Sequence, residues 1–324
     1  MNGAREAPGV TVDVIATLFN GAAYLGEFLA SLEAQTHRSW RLWVRDDGST
    51  DETLAIVRGA AAADPRITLL QSGGPRLGPA AGFGWLLERV PPAAGYVMCA
   101  DQDDVWLPEK IGRTLSVMRE AEAAGHGPVL VHTDLVVVDE RLRVVDASFW
   151  RFSSVDPEPV SLRRLVVQNV ATGATIMLNR PLRELIGVMP SEAVYQDWWY
   201  ACVAAAFGRI VALREATILY RQHGANAVGA KRVAPPRLAE LPGLAREALA
   251  RTAQLRADIA RSARQAGAFL DRYGDRLADS DRRFLAAYAQ LPGLGMFRRK
   301  LEVARLRVLP SHGLWRNLGV LLRA

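Results

Sequence analysis

The first third of this chain alternates between short apolar runs and segments with helical spacing, and this alternation limits the fold more than any other feature. Val12 to Leu18 is a mostly apolar run typical of a buried parallel strand, and Leu25, Phe28 and Leu32 then recur on one helical face. Further strands are predicted at 40–44, 67–70 and 96–100. Because crossovers between parallel strands are right-handed, the series predicts an α/β fold with helices on both faces of a sheet.

The helix after the second strand carries its own start signal. Ser49 and Glu52 have the spacing of a capping box, and Leu54, Ile56 and Val57 continue the segment. We therefore expect this helix to begin directly after Ser49.

Three carboxylates, Asp101, Asp103 and Asp104, are crowded into the turn that follows the fourth strand. Like charges this close repel one another unless a cation or a hydrogen-bond donor neutralises them. Hard oxygen ligands suit Mg²⁺ or Mn²⁺, which share their coordination with waters and substrate phosphates. A solvated Asp-rich turn is an equally weighted alternative, because Asp favours turns and helix N-termini.

The loops after the first two strands are also polar, at Thr17 to Asn20 and at Asp46 to Asp51. In open α/β sheets, ligands bind outside the carboxyl ends of the strands, so these loops and the acidic turn are expected to converge. The glycine fingerprint of dinucleotide binding and the P-loop motif are both absent from the sequence. Acidic residues at two strand ends therefore favour a metal-bridged nucleotide over direct phosphate cradling.

Composition restricts the class and the compartment. A chain of 324 residues, 50% hydrophobic and 23% charged, can bury one large core and a smaller appendage. Met1 to Val10 lacks the apolar stretch of a secretory signal, and Cys99 and Cys202 lie in apolar neighbourhoods that favour reduced thiols. These features indicate a cytoplasmic protein. The net charge of +6 admits anionic partners without selecting one.

The composition changes near residue 230, where the chain becomes rich in Arg and Ala and keeps helical apolar spacing. The Pro235-Pro236 pair supports a boundary there, since proline ends regular structure. We expect a first domain at 1–230 and a basic helical region at 231–324.

Two stretches of the basic region, Leu301 to Leu309 and Leu314 to Leu322, interleave apolar residues with arginine. This pattern suits a helix lying on an anionic membrane, on the cytoplasmic face of the inner membrane. It suits equally a helix packed on the first domain, because amphipathicity alone does not separate the two.

Four motifs, in order, resemble the signatures of family-2 glycosyltransferases with the GT-A nucleotide-sugar-binding fold. They are Val14-Ile15-Ala16-Thr17-Leu18-Phe19-Asn20, Arg45-Asp46-Asp47-Gly48-Ser49-Thr50-Asp51, Asp101-Gln102-Asp103-Asp104 and Tyr220-Arg221-Gln222-His223-Gly224-Ala225-Asn226. The third and fourth motifs are similar to those of bacterial rhamnosyltransferases of polysaccharide assembly. The resemblance covers roughly residues 11–230 and implies a GT-A domain with a mostly parallel sheet, to which the composition and spacing of 231–324 add a C-terminal helical extension.

The resemblance also assigns expected roles to individual residues. Thr17 and Asp47 would lie against the base of a UDP- or dTDP-sugar donor, and Asp101 would contact the ribose or the sugar. Asp103 would bind the Mg²⁺ or Mn²⁺ ion that bridges the two phosphates. His223 is a candidate second ligand, although a lone His near a strand end more often makes a structural hydrogen bond.

Direct displacement at an anomeric carbon inverts its configuration and needs a carboxylate to accept the proton of the attacking hydroxyl. Asp197, in Tyr195-Gln196-Asp197-Trp198-Trp199, matches the family's base position, and a helix N-cap is the alternative role. Many relatives carry an acidic residue or His where this chain has Gln196. The resemblance implies that the small residues of the segment 168–175 approach donor and acceptor, and a plain turn at Thr172-Gly173 is an equal alternative. The implied acceptor is a hydroxyl of a glycan or a lipid-linked saccharide, and no nucleic-acid partner is expected.

Two other classes of function compete with this interpretation. A sugar-nucleotide nucleotidyltransferase should carry a Gly-rich loop with Arg and Lys after the first strand, and Thr17 to Ala22 contains neither cation. A non-catalytic carbohydrate-binding or scaffold protein could share the fold, but the intact Asp103 and Asp197 weigh against it. Within the transferase class, family likeness favours rhamnose as the sugar, with galactose second.

Overall fold

The computed structural model describes residues 9–72, 75–125, 127–158, 160–224 and 244–306, and it contains the predicted alternation of strands and helices. The strands are β1 Val12–Leu18, β2 Trp40–Asp46, β3 Ile67–Ser72, β4 Tyr96–Cys99, β5 Val105–Trp106, β6 Val129–Val138, β7 Val144–Asp146, β8 Met177–Asn179 and β9 Arg209–Arg221. The helices are α1 Ala22–Glu33, α2 Thr53–Ala63, α3 Pro79–Arg89, α4 Lys110–Ala123, α5 Phe149–Phe152, α6 Leu162–Val167, α7 Arg180–Ile186, α8 Gln196–Phe207, α9 Leu244–Tyr273, α10 Asp279–Ala289 and α11 Met296–Arg305.

The strands form one sheet in the order β3-β2-β1-β4-β8-β6-β9-β5, with β7 paired to β6. Parallel pairing joins β3, β2, β1 and β4, and also β6 with β9. Strand β8 runs antiparallel between β4 and β6, which the sequence did not indicate. The α/β class and the mostly parallel sheet are therefore confirmed, because β1, β2, β3, β4, β6 and β9 share one direction. The opposite direction is taken by β8 in the middle of the sheet and by β5 and β7.

Strand β1 shows how the sheet divides the core. Val12, Val14 and Ala16 point into one apolar cluster, shared with α1 and α4, whereas Ile15 points into a second cluster shared with α3 and α8. This is the period-two alternation of a strand covered on both faces. Asp13 is fully buried on the second face, and its carboxylate accepts hydrogen bonds from Arg41 and Trp43 on β2.

The predicted capping box at the start of α2 is wrong. Helix α2 begins at Thr53 with Glu52 in the N-cap position, and the Glu52 side chain makes no capping hydrogen bond. The hydroxyl of Ser49 instead accepts a hydrogen bond from the Asn20 N–H at 3.0 Å, which ties the second polar loop to the first. Long-range contact between two loops has replaced the local pairing that the spacing favoured.

Helices of the C-terminal region pack against the sheet domain. Phe269 and Tyr273 of α9 are buried in the same apolar cluster as Trp199 of α8, and the Trp199 and Phe269 rings lie 5.3 Å apart. The predicted boundary near residue 230 and the stretch Leu314 to Leu322 lie outside the described residues. Within the ranges given above, no helix is long and apolar enough to cross a membrane.

Candidate functional site

The polar loops predicted to converge do so around the end of β1, because β2 and β4 flank this strand. The Asp47 N–H donates to Leu18 O at 2.7 Å, and the Ala100 N–H donates to Ile15 O at 2.9 Å. Gln102 then pairs with the backbone of Phe19, accepting from its N–H at 3.0 Å and donating to its carbonyl at 2.8 Å. The acidic turn is thus fixed against the end of β1.

Asp47 is buried and accepts hydrogen bonds from its own chain. The N–H groups of Leu77 and Gly78 donate to its two oxygens at 2.8 and 2.7 Å, and the buried Arg45 guanidinium donates to Oδ1. Burial acts to raise the pKa of Asp47, but these donors outweigh it and hold the pKa below its ordinary value. Asp47 therefore fixes the loop between β3 and α3 in place, and a carboxylate retains lone pairs for a further donor.

Thr17 lies in β1, with its side chain beside Gly82 of α3. A Cβ atom at Gly82 would come within 2.7 Å of Thr17 Oγ1, so only glycine allows this approach. In the part of the chain that the structure describes, Thr17 Oγ1 is buried and has no hydrogen-bond partner. A buried polar atom without a partner requires an explanation, and a bound ligand is one.

Asp103 and Asp197 both lie close enough to Asp101 to affect its proton binding. Burial, together with the negative charges of Asp103 and Asp197, raises the pKa of Asp101 to about 7. The structure therefore brings together three of the predicted residues, from the turn after β4 and from the start of α8. Their mutual repulsion makes the site attractive to a cation.

Asp103 and His223, the two predicted metal ligands, contact each other directly. A hydrogen bond of 2.8 Å joins His223 Nε2 to Asp103 Oδ2, and the His223 ring lies 4.8 Å from the Tyr24 ring. The pair therefore brings an oxygen and a nitrogen ligand from the acidic turn and from the end of β9. To bind a metal through Nε2, His223 has to carry its proton on Nδ1.

Asp104 helps to hold Asp103 and His223 together through its contact with Arg221. It is fully buried, and its Oδ1 accepts from the Arg221 N–H at 3.1 Å. The Arg221 guanidinium donates to the Asp103 carbonyl at 2.9 Å and to Glu27. Burial, with the charges of Asp103 and Asp101, raises the pKa of Asp104 well above its ordinary value. Asp104 and Arg221 therefore clamp the end of β9, which carries His223, to the acidic turn.

Asp197 belongs to the first turn of α8, and Tyr195 occupies the N-cap, so the N-cap interpretation of Asp197 is wrong. Its Oδ1 accepts from the Trp198 N–H at 2.6 Å. Burial raises its pKa to about 7, although hydrogen bonds from Trp198, Gly173 and Asn169 act in the opposite direction. A carboxylate with a pKa near neutrality is suited to accept a proton at physiological pH.

The side chains at the acidic turn fit a hard divalent ion only in part. Within the described residues, no group of three or more His, Cys, Asp or Glu side chains is placed to hold a metal by itself. Asp103 and His223 supply one oxygen and one nitrogen, and Asp104 Oδ2 is buried without a hydrogen-bond partner in this part of the chain. Mg²⁺ and Mn²⁺ commonly complete such a partial set with waters and substrate phosphates.

Sequence reasoning missed three residues that organise the site. Arg45 and Arg221 are almost fully buried, and each bonds a carboxylate or carbonyl from another segment. Lys110 is also fully buried, and burial lowers its pKa to about 7 against the opposing charge of Asp104. The sequence carries one signal for Arg45, because this cation lies within the apolar pattern of β2 and is therefore expected to be buried and paired. Asn169, beside Asp197, was placed near the substrates only as part of the segment 168–175.

The fold is shared with solved glycosyltransferase structures. S. aureus TarS in complex with UDP superposes with a TM-score of 0.56 and 16% identity, over 95% of this chain and 86% of that chain. The complex of TarS with UDP-GlcNAc gives a TM-score of 0.55 over 97% of this chain and 89% of that one. The expected GT-A fold is therefore confirmed.

Sequence comparison gives the family. The family model "Glycosyl transferase family 2" matches residues 13–180, which is more than half of the chain, and the chain belongs to this family. An uncharacterized glycosyltransferase of Nostoc sp. is 27% identical over 221 residues, covering 66% of each chain. An uncharacterized glycosyltransferase of Rickettsia prowazekii is 26% identical over 195 residues, and the match covers 58% of this chain and 57% of that relative.

Proposed function

We propose that this protein is an inverting glycosyltransferase. It moves a sugar from a nucleoside diphosphate donor to a hydroxyl of a glycan or a lipid-linked saccharide, in the assembly of a cell-surface polysaccharide. Membership of family 2 supports the class of reaction. The binding of UDP and UDP-GlcNAc by TarS supports a nucleotide-sugar donor.

One observation carries the proposal. Asp101, Asp103 and Asp197 come from two distant segments, and each contributes negative charge to the same small region. A folded protein keeps such repulsion where a ligand or a reaction uses it. Carboxylates that attract a metal cation, next to a carboxylate that accepts a proton, are what transfer from a diphosphate donor requires.

In the proposed reaction, the acceptor oxygen attacks the anomeric carbon from the side opposite the diphosphate. The new C–O bond forms while the bond from carbon to phosphate oxygen breaks, and the bonding pair leaves with the diphosphate. The hydroxyl proton passes to a carboxylate oxygen of Asp197. Its pKa of about 7 places this base near the operating pH, where general-base catalysis is most effective.

A divalent ion would be held by Asp103, with His223 as the second ligand and donor phosphates and waters completing the set. When bound, such an ion supplies positive charge that stabilises the departing diphosphate. Thr17 and Asp47 would orient the nucleoside, and Asp101 would accept hydrogen bonds from ribose or sugar hydroxyls. Holding donor and acceptor in line contributes much of the remaining acceleration.

The donor sugar is proposed from family likeness, with rhamnose first and galactose second. A thermal-shift screen of the full chain with Mn²⁺ should rank dTDP-rhamnose, UDP-galactose, UDP-glucose and GDP-mannose. We expect the largest stabilisation from the true donor, because a ligand that binds only the folded state raises its stability. Stabilisation by GDP-mannose alone would contradict the UDP or dTDP assignment.

The decisive experiment measures release of nucleoside diphosphate from the donor that the screen selects. We expect turnover with Mn²⁺ or Mg²⁺, its loss in EDTA, and its recovery when the metal is restored. Turnover that is unchanged in EDTA would remove the metal role of Asp103. Saccharide binding without metal-dependent nucleotide binding or turnover would favour a non-catalytic carbohydrate-binding protein.

A further inference from the structure

Helix α11 exposes large apolar side chains on the surface of the C-terminal region. Phe297 is 82% exposed and Leu301 is 69% exposed, and Met296 is 49% exposed. Phe297 and Leu301 are four residues apart, so they lie on the same face of the helix. Large apolar side chains that remain exposed side by side mark a surface that contacts another molecule.

The apolar face is flanked by cations. At about 100° per residue, Arg298 and Arg305 fall on one side of Phe297 and Leu301, and Lys300 falls on the other. Helix α11 carries Arg298, Arg299, Lys300 and Arg305 against the single acid Glu302. An exposed apolar stripe between basic flanks is the pattern of a helix that lies in a lipid interface.

The opposite face of α11 already anchors the helix to the protein. Val303 is fully buried in the core cluster that also contains Leu291. The Arg299 guanidinium donates to the carbonyls of Leu291 and Leu294, at 3.2 and 2.7 Å. Because the buried face holds α11 in place, Phe297 and Leu301 are not needed for its packing.

A basic cavity lies next to this helix, between α6, α10 and α11. It has a volume of about 420 Å³, and its lining includes Arg163, Arg283, Arg305 and Phe284. Arg163 is paired with Asp281 at 2.9 Å, and Arg305 with Glu302 at 3.3 Å. Among the described residues, Arg283 has no carboxylate partner. The cavity therefore adds positive charge beside the apolar face.

We propose that α11 is a contact site for an anionic lipid bilayer. Phe297 and Leu301 enter the boundary between headgroups and acyl chains, while Arg298, Lys300 and the arginines of the cavity meet the lipid phosphates. Charge complementarity selects this occupant, since a second copy of the same chain would bring its own basic helix to a basic surface. The inference is independent of the proposed reaction, because lipid binding requires neither donor nor acceptor.

The first test is co-sedimentation of the full chain with vesicles. We expect binding to vesicles of equal parts phosphatidylglycerol and phosphatidylcholine, and none to pure phosphatidylcholine. The double variant Phe297→Ser, Leu301→Ser should weaken binding at least tenfold, and Lys300→Glu should weaken it in the same direction. The matched controls are Val188→Ser, which removes another exposed apolar side chain, and Arg38→Glu, which makes the same charge change far from α11 in sequence.

A second test reports whether the side chain at position 297 enters the lipid. Cys99 and Cys202 are buried, so an environment-sensitive fluorophore attached to a Phe297→Cys variant labels one exposed thiol. We expect its emission to shift to the blue with anionic vesicles, and the same label at Val188→Cys to remain unchanged. The Tm of each variant is compared with that of the parent chain, so that a loss of binding caused by misfolding is recognised by a lowered Tm.

Three results would overturn the proposal. They are an absence of binding to anionic vesicles, binding that survives the α11 double variant, and a label at position 297 that reports water in the presence of anionic vesicles. Self-association that is abolished by Phe297→Ser, Leu301→Ser, without vesicle binding, would assign the face to a second copy instead. Sedimentation velocity without lipid measures that outcome.

Discussion

The carboxylates at the ends of β2 and β4 have the same charge and opposite surroundings. Asp47, after β2, accepts two backbone N–H groups and the Arg45 guanidinium, and its pKa is lowered. Asp101, after β4, faces Asp103 and Asp197, and its pKa is raised to about 7. Both positions follow neighbouring strands of one sheet. The first carboxylate is neutralised by the protein, whereas the second group is left for something else to neutralise.

This contrast separates structure from chemistry. A carboxylate surrounded by donors stabilises its loop, so removing it should damage folding. A carboxylate surrounded by other carboxylates is a cost in folding that a ligand or a reaction offsets. We therefore expect substitutions at β2 to change stability first, and substitutions near Asp101 and Asp197 to change activity first.

The largest expected effect is on turnover. Asp197→Asn removes the proposed proton acceptor while keeping the shape of the side chain, and general-base catalysis contributes about 10²- to 10⁴-fold. We expect kcat to fall by about 10³-fold, with nucleoside diphosphate affinity unchanged, measured by product release and by titration calorimetry.

The control for Asp197→Asn is Asp258→Asn, at an exposed acid of α9 that pairs with Arg261. This variant should keep full activity. If Asp197→Asn were as active as this control, another group would have to accept the proton.

The next effect is on stability. Asp47→Ala leaves the Arg45 cation buried and removes the acceptor of Leu77 and Gly78. Breaking a buried ion pair by removing one partner costs about 3 to 5 kcal/mol, so the free energy of unfolding in urea should fall by about 3 kcal/mol.

Asp139→Ala is the matched control, because Asp139 also accepts from two backbone N–H groups and an arginine, but in a solvent-exposed turn. Water replaces those contacts, so its Tm should stay close to that of the parent chain. Equal stability of the two variants would erase the distinction between the β2 and β4 carboxylates.

The pH profile tests the raised pKa of Asp197. The proposed base acts only when deprotonated, so kcat/KM should fall about tenfold for each pH unit below 7 and level off above it. Since Asp101 titrates in the same range and feels the charge of Asp197, the measured value belongs to the coupled pair. The residual activity of Asp197→Asn should lose this dependence. A profile that is flat between pH 5 and 8 in the parent chain would contradict the assignment.

The difference between the two regions also marks how far the sequence predicts this molecule. Thr17, Asp47 and Asp101 follow apolar runs, and parallel strands align their carboxyl ends, so periodicity alone indicated that these residues meet. The pairing of Asp104 with Arg221 joins residues that are far apart along the chain, through β9, and no local pattern encodes it. The same holds for the antiparallel strand β8, which separates β4 from β6.

Asp197 was predictable from the sequence in one respect and unpredictable in another. Its position was predicted from motif order, but its raised pKa depends on burial that outweighs hydrogen bonds from Trp198, Gly173 and Asn169, which only the folded chain reveals. The loop that Asp47 holds was missed because its partners, the N–H groups of Leu77 and Gly78, have no side-chain signature.

The smallest expected effect concerns Thr17, near the end of β1, whose hydroxyl lacks the donors that Asp47 has. Thr17→Val keeps the shape and removes a hydroxyl that has no partner in the described part of the chain. Because the buried hydroxyl makes no hydrogen bond in the folded chain, the free energy of unfolding should not fall and should rise by about 1 kcal/mol, the cost of burying an unpaired polar atom. If the hydroxyl bonds the nucleoside, donor affinity should still fall by about fivefold to tenfold, the value of one hydrogen bond. Calorimetric titration with UDP and dTDP separates the two effects, and unchanged affinity for both nucleotides would place the base away from Thr17.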